Sequence, residues 1–143
     1  MAEPAGTEPI GDDELIYRRI PVSMSWYSNG QLSPEAFKPD PQRDITGISV
    51  SRSKYKSLED AARGPGKKGY FVAVFRARDL RQRGIPVVPR PIHPENPGSP
   101  EYDPGHAEIP ALTAENRNSA AALETKLALT TLAIEVKGPF GPS

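Results

Sequence analysis

Residues 70–77 read YFVAVFRA, a nearly continuous run of apolar, β-branched and aromatic side chains. A strand with one wet face alternates apolar and polar residues, whereas a run without alternation needs cover on both faces. This stretch therefore reads as a central strand, and the rest of the chain must supply layers above and below it. Immediately downstream, RDLRQRG (78–84) reads as a short helix closed by Gly84 just past its C-cap. IPVVPRPI (85–92) is extended, but its prolines cannot donate to a ladder, which places it at an edge or outside the sheet.

Eight of the 17 prolines fall between Pro86 and Pro110, and HPENPGSPEYDPG (93–105) reads as a long loop. Loops of this length in a small domain are functional or disordered. HAEIPAL (106–112) resumes a strand. TAENRNSAAALETKLAL (113–129) reads as a helix capped by Thr113 or Ser119, with Leu123 and Leu127 on one apolar stripe. TTLAIEV (130–136) is β-branched and alternating and reads as a last strand, with a single helix running on to Val136 as the alternative.

Upstream, ITGISVS (45–51) alternates and reads as a strand. SLEDAAR (57–63) reads as a helix with Ser57 as N-cap and Asp60 three residues on, stopped by GPGKKG (64–69). ELIYRRI (14–20) is a strand ended by Pro21. PVSMSWYSNGQL (21–32) carries an Asn29-Gly30 turn signal, and SPEAF (33–37) suits a single helical turn with Ser33 as cap and Pro34 first. Strands and helices thus alternate, giving a single α+β (mixed α/β) domain over residues 14–137. Its expected parts are a sheet of about five strands, two or three helices and the long Pro-rich loop. Residues 1–13 and 138–143 read as flexible tails.

The 143-residue chain carries 18 basic and 18 acidic residues and no cysteine. Disulfides, thiolate nucleophiles and the usual structural zinc sites are thereby excluded. The balance gives no global pull toward nucleic acid, although segment 52–90 holds eleven Lys and Arg against Glu59, Asp60 and Asp79. That segment keeps a nucleic-acid partner open. No apolar run approaches a membrane span, and the acidic opening residues lack the apolar stretch of a secretion signal, so a soluble, cytoplasmic protein is expected. GPGKKG lacks the spacing of a phosphate-binding loop.

His106 and Glu108 share a strand face, as a base and its orienter would. They are the candidate catalytic pair. Arg18 and Arg19 fall on opposite faces of the first strand, and a guanidinium held in a fold suits phosphate or carboxylate. Ser49 and Ser51 share one face of their strand; Arg52 follows on the apolar side, but at the strand end, where it is free to turn outward. These five are the candidate ligand-binding residues. His93 in the loop is a weaker candidate. Tyr17, Trp26, Tyr27 and Tyr102 are candidates for a stacking platform. No metal site is expected; one would need Asp103 or Glu108 beside the two histidines.

The segments LIYRRIP, EAFKPD, GISVSR, GYFVAVFRARDLRQRG and PGHAEIP together resemble a group of small uncharacterised bacterial proteins over about residues 14–136. An early Arg, a Ser-x-Ser and a late Glu also resemble ADP-ribosyltransferase-like domains, matched here by Arg18 or Arg19, Ser49 with Ser51, and Glu108. That resemblance implies NAD as cofactor, the arginine on its phosphates, the serine ordering the pocket and the glutamate on the nicotinamide ribose. His106 stands where that family has a second acid. The expectation is a non-catalytic interaction or partner protein, such as a component of a bacterial toxin–antitoxin or defence module. The alternative is a small ADP-ribosyltransferase-like or other phosphate-handling enzyme acting on NAD or RNA.

Overall fold

A computed structural model describes residues 4–64, 69–96 and 98–141. Most of the GPGKKG turn lies outside them. The molecule is a small α+β domain built on one six-stranded sheet. In chain order its strands are β1 (Leu15–Pro21), β4 (Ile48–Arg52), β5 (Tyr70–Arg76), β6 (Val88–Pro89), β7 (His106–Ile109) and β8 (Glu135–Phe140), arranged β6-β7-β4-β1-β5-β8. Every neighbouring pair is antiparallel. A separate two-stranded hairpin, β2 (Tyr27–Ser28) and β3 (Gln31–Leu32), turns at Asn29 and Gly30, both at positive φ.

β5 is flanked on both sides and buried on both faces, as its unbroken apolar run requires. Ala73 and Phe75 face the larger core with Ile16, Ile20, Phe37, Leu80 and Leu129, while Val72 and Val74 face a smaller one with Tyr17, Ala61 and Ala62. Each such side chain contributes about 1.5–3 kcal/mol on full burial. The smaller core is covered by α1 (Leu58–Ala61), capped by the Ser57 hydroxyl on the Asp60 amide. The larger is covered by α2 (Ala77–Gln82), by α3 (Ala120–Leu132) and by a 3-10 turn at Pro34–Phe37.

Several expectations are corrected. The helix expected from residue 113 starts at Ala120 on a Ser119 cap, because Asn116 bonds the Thr113 amide and the Ala111 carbonyl and folds 113–118 into turns. Residues 130–132, expected to begin a strand, continue α3, and β8 starts only at Glu135 and takes in Phe140 from the expected C-terminal tail. The Leu123 and Leu127 stripe points outward at 49% and 47% exposure, while Ala122, Lys126 and Leu129 face inward. Alanine lets the helix approach the core closely, and that close approach outweighs the larger leucines.

The opening residues are also ordered differently from a free tail. Ile10 is buried, Gly6 accepts no side chain because a Cβ there would stand 2.0 Å from the Pro104 carbonyl, and the strap from 4 to 14 wraps Arg52. Among the described residues, no helix is long and apolar enough to cross a membrane.

Candidate functional site

β1 and β4 are paired only at Ile16–Arg52 and Tyr17–Ser51. Continued pairing would match Arg18 with Val50 and Arg19 with Ser49, but the strands part there. A cleft of about 550 Å³ opens at that split, lined from β1 by Tyr17, Arg18 and Arg19, from β4 by Ser49, Val50 and Ser51, and from β7 by His106. Trp26, Lys38, Arg43, Asp44, Lys56, Ile92 and Asp103 complete much of its wall.

Arg18 bridges the parted strands. Its Nη1 donates to the Ser49 main-chain carbonyl at 2.9 Å and its Nε to the Ala36 carbonyl at 3.2 Å. Close enclosure by protein pushes the guanidinium down to about 10, against the pull of nearby Asp44, so it stays charged at neutral pH. Arg19 donates to the Arg63 carbonyl at 2.7 Å and lies over the Tyr70 ring. Lys56 donates to the Ser51 hydroxyl at 3.2 Å and pairs with Asp103 at 2.8 Å, which ties the Pro-rich loop to the cleft wall. The same loop is held by backbone bonds between Ile92 and Asp103.

His106 is oriented from both ring nitrogens. Nδ1 lies 2.9 Å from the Arg90 carbonyl and Nε2 3.1 Å from Ser49 Oγ. A carbonyl only accepts, so Nδ1 carries a proton, and in that tautomer Nε2 is the nitrogen that accepts from the Ser49 hydroxyl. A hydroxyl on a base whose far nitrogen is fixed by a third group is the arrangement that activates a nucleophile.

Of the sequence-selected residues, the cleft therefore gathers Arg18, Arg19, Ser49, Ser51 and His106. Glu108 does not line it. Its carboxylate accepts from Thr46 Oγ1 at 2.6 Å and lies 3.5 Å from Arg90 Nε, so the His106 orienter is the Arg90 carbonyl and not Glu108. Arg52 is corrected more sharply. It does not turn outward at its strand end but is fully buried on the opposite face, bonded to both Glu14 carboxylate oxygens and to the carbonyls of Gly6, Glu8 and Pro9. A buried guanidinium needs all these acceptors, and residues 4–14 provide them.

Tyr17 and Trp26 reach the cleft, whereas Tyr27 packs on Phe71 and Tyr102 on His93. His93 itself faces the Ala5 carbonyl. Among the described basic residues of segment 52–90, Arg52 is internal, Lys56 faces Asp103, Arg81 pairs with Asp12 and Arg90 lies by Glu108. Lys38, Asp44 and Lys56 in the cleft wall had no sequence signal, because they come from loops whose path is set by tertiary packing. Among the described residues, no group of three or more metal-ligating side chains comes together. Comparison with known proteins finds no family model, curated protein or solved structure that matches the chain.

Proposed function

We propose that the cleft binds a phosphate-bearing small ligand and hydrolyses its phosphoester, with Ser49 as nucleophile and His106 as general base. The observation that carries the reading is the Ser49 hydroxyl at 3.1 Å from His106 Nε2, in a cleft whose wall holds the Arg18 and Arg19 guanidiniums and Lys56. Cations fixed around a reacting oxygen suit a reaction that accumulates negative charge. Trp26 supplies aromatic surface beside them, which favours a nucleotide over inorganic esters.

In the proposed sequence, Ser49 Oγ attacks phosphorus and passes its proton to His106 Nε2. The bond from phosphorus to the leaving alcohol breaks, and that alcohol takes the proton from His106. Water then displaces phosphate from Ser49, giving its own proton to His106, which returns one to the serine oxygen. Arg18, which donates to the main-chain carbonyl of the same serine, is the proposed partner of the new charge. Positioned acid–base groups of this kind contribute roughly 10²–10⁴-fold to rate.

The test is turnover of p-nitrophenyl phosphate, bis(p-nitrophenyl) phosphate and a set of nucleotides, with Ser49→Ala and His106→Gln beside the wild type. Hydrolysis that both substitutions abolish supports the reading. Absence of turnover and of nucleotide binding by the wild type, or turnover untouched by Ser49→Ala, overturns it.

A partner-protein reading rests on one other observation, the outward Leu123 and Leu127 one helical turn apart, followed by exposed Ile134. It requires a stable complex that Leu123→Ser with Leu127→Ser disrupts while the cleft variants do not.

A further inference from the structure

A second cavity of about 270 Å³ lies against α3 and the loop after the Pro34–Phe37 turn, lined by Glu35, Lys38, Arg117, Asn118 and Lys126 with two prolines. Lys126 is the unusual member. It occupies a core-facing position of α3, in line with Ala122 and Leu129, and is only 8% exposed. No hydrogen bond or ion pair holds its ammonium among the described residues; the stem packs inward while the ammonium keeps solvent contact at the cavity it lines.

The cavity wall offers that ammonium little acid to pair with. The one carboxylate of the wall, Glu35, is already 3.6 Å from Lys38. Arg117 spends one nitrogen on the Ala114 carbonyl and adds a fixed guanidinium to the wall. Three cations thus meet one committed acid around a cavity large enough for a tetrahedral anion. We infer that this cavity is a phosphate-binding subsite, with Lys126 as its anchor and Arg117 and Lys38 as flanking donors. Three donors approaching from different elements match the several oxygens of phosphate better than the planar pair of a carboxylate. Lys38, Pro39 and Pro41 also line the cleft between β1 and β4, so the subsite adjoins that cleft across a shared rim. The inference stands on Lys126 and its cavity and does not depend on the chemistry of Ser49 and His106.

The test is a titration of the full chain with inorganic phosphate, followed residue by residue through backbone amide resonances, with acetate as the comparison anion. Saturable shifts at Asn118, Ser119 and Lys126 are expected with phosphate, with acetate at least tenfold weaker. Lys126→Met keeps an unbranched side chain in place, and it should weaken phosphate at these resonances more than tenfold while its spectrum stays dispersed as in a folded chain. Arg117→Gln, at a turn, is the second variant and should weaken binding in the same direction. Unmoved resonances, equal response to acetate, or Lys126→Met titrating like the wild type would each overturn the subsite. Shifts at Ser49 and Ser51 report the cleft separately, so failure of the phosphoesterase reading and failure of this one are distinguishable.

Discussion

Ser49 and His106 meet across a diagonal of the sheet, 3.1 Å from hydroxyl to Nε2, although the register sets Ser49 opposite Glu108 and Ser51 opposite His106. Diagonal neighbours on one face of antiparallel strands lie within reach of long and ring-bearing side chains. The imidazole takes the diagonal because the Arg90 carbonyl fixes its other nitrogen. Both side chains are on the wet face, so Ser49→Ala and His106→Gln should change the unfolding midpoint little, within about 0.5 kcal/mol for surface sites. Any hydrolytic rate should fall by about 10²-fold or more. Paired urea melts and rate measurements check both halves, and a large stability loss would mean that the pair is structural.

Arg52 is a different kind of residue. Its guanidinium is fully buried and its burial is offset by Glu14, whose hydrogen bonds hold it above the ordinary arginine range. Arg52→Met should cost about 3–5 kcal/mol, since it strands the Glu14 carboxylate and three carbonyls. Adding Glu14→Leu should return part of that loss. Equilibrium urea denaturation of the two variants gives the answer, and a neutral Arg52→Met would refute the strap as a stabilising element.

Glu8 makes the strap sensitive to acid. The Tyr55 hydroxyl, and then Lys54, hold its carboxyl at about 2 in place of the ordinary 4.5. The unfolded chain takes up this proton first, so the contribution is complete above about pH 4.5 and is lost as pH falls toward about 2. Melting temperatures measured across that window should fall less steeply for Glu8→Gln than for the wild type. Parallel curves would assign the acid response to other groups.

Gly6 sits at φ +94°, and a Cβ there would stand 2.0 Å from the Pro104 carbonyl. Gly6→Ala should therefore lift the strap from the Pro-rich loop, at a cost of about 1–3 kcal/mol in backbone strain. Limited proteolysis should then cut within the strap faster than in the wild type. Unchanged cleavage would show that the contact yields at little cost.

Lys56 anchors that loop from the cleft side through Asp103, both partly exposed. Asp103→Asn should reduce stability by no more than about 1 kcal/mol, as for solvent-screened pairs. Amide hydrogen exchange at Ile92 and Asp103, which bond each other's backbones, should speed up if the pair holds the loop closed.

Local signals were legible in proportion to how local their physics is. Ser57, Ser119, Asn29-Gly30 and the unbroken run at 70–77 each act through neighbours a few residues away, and each appears where its pattern implies. The end of the alanine-rich helix was not legible, because TTLAIEV suits both helix and strand and only the pairing of β8 with β5 decides where one gives way to the other. Arg18, Ser49, Ser51 and His106 could be selected from strand alternation. Arg52 was misplaced because alternation sends it inward correctly, while the acceptors that let it remain there come from the opening residues, some 40 positions away.

The sequence by itself determined the α+β class, the strand buried on both faces, the edge role of the proline-rich stretch and the absence of thiol chemistry. Each follows from side-chain size, backbone donors or composition, which do not depend on distant partners. Only the tertiary structure decided that β1 and β4 part after Tyr17, that His106 faces Ser49 and not Glu108, and that Lys126 buries its stem and turns its ammonium to a cavity. Those outcomes depend on where residues far apart in the chain are brought together, and the free energy of a buried charge or an oriented imidazole is set by those neighbours and not by its own position in the sequence.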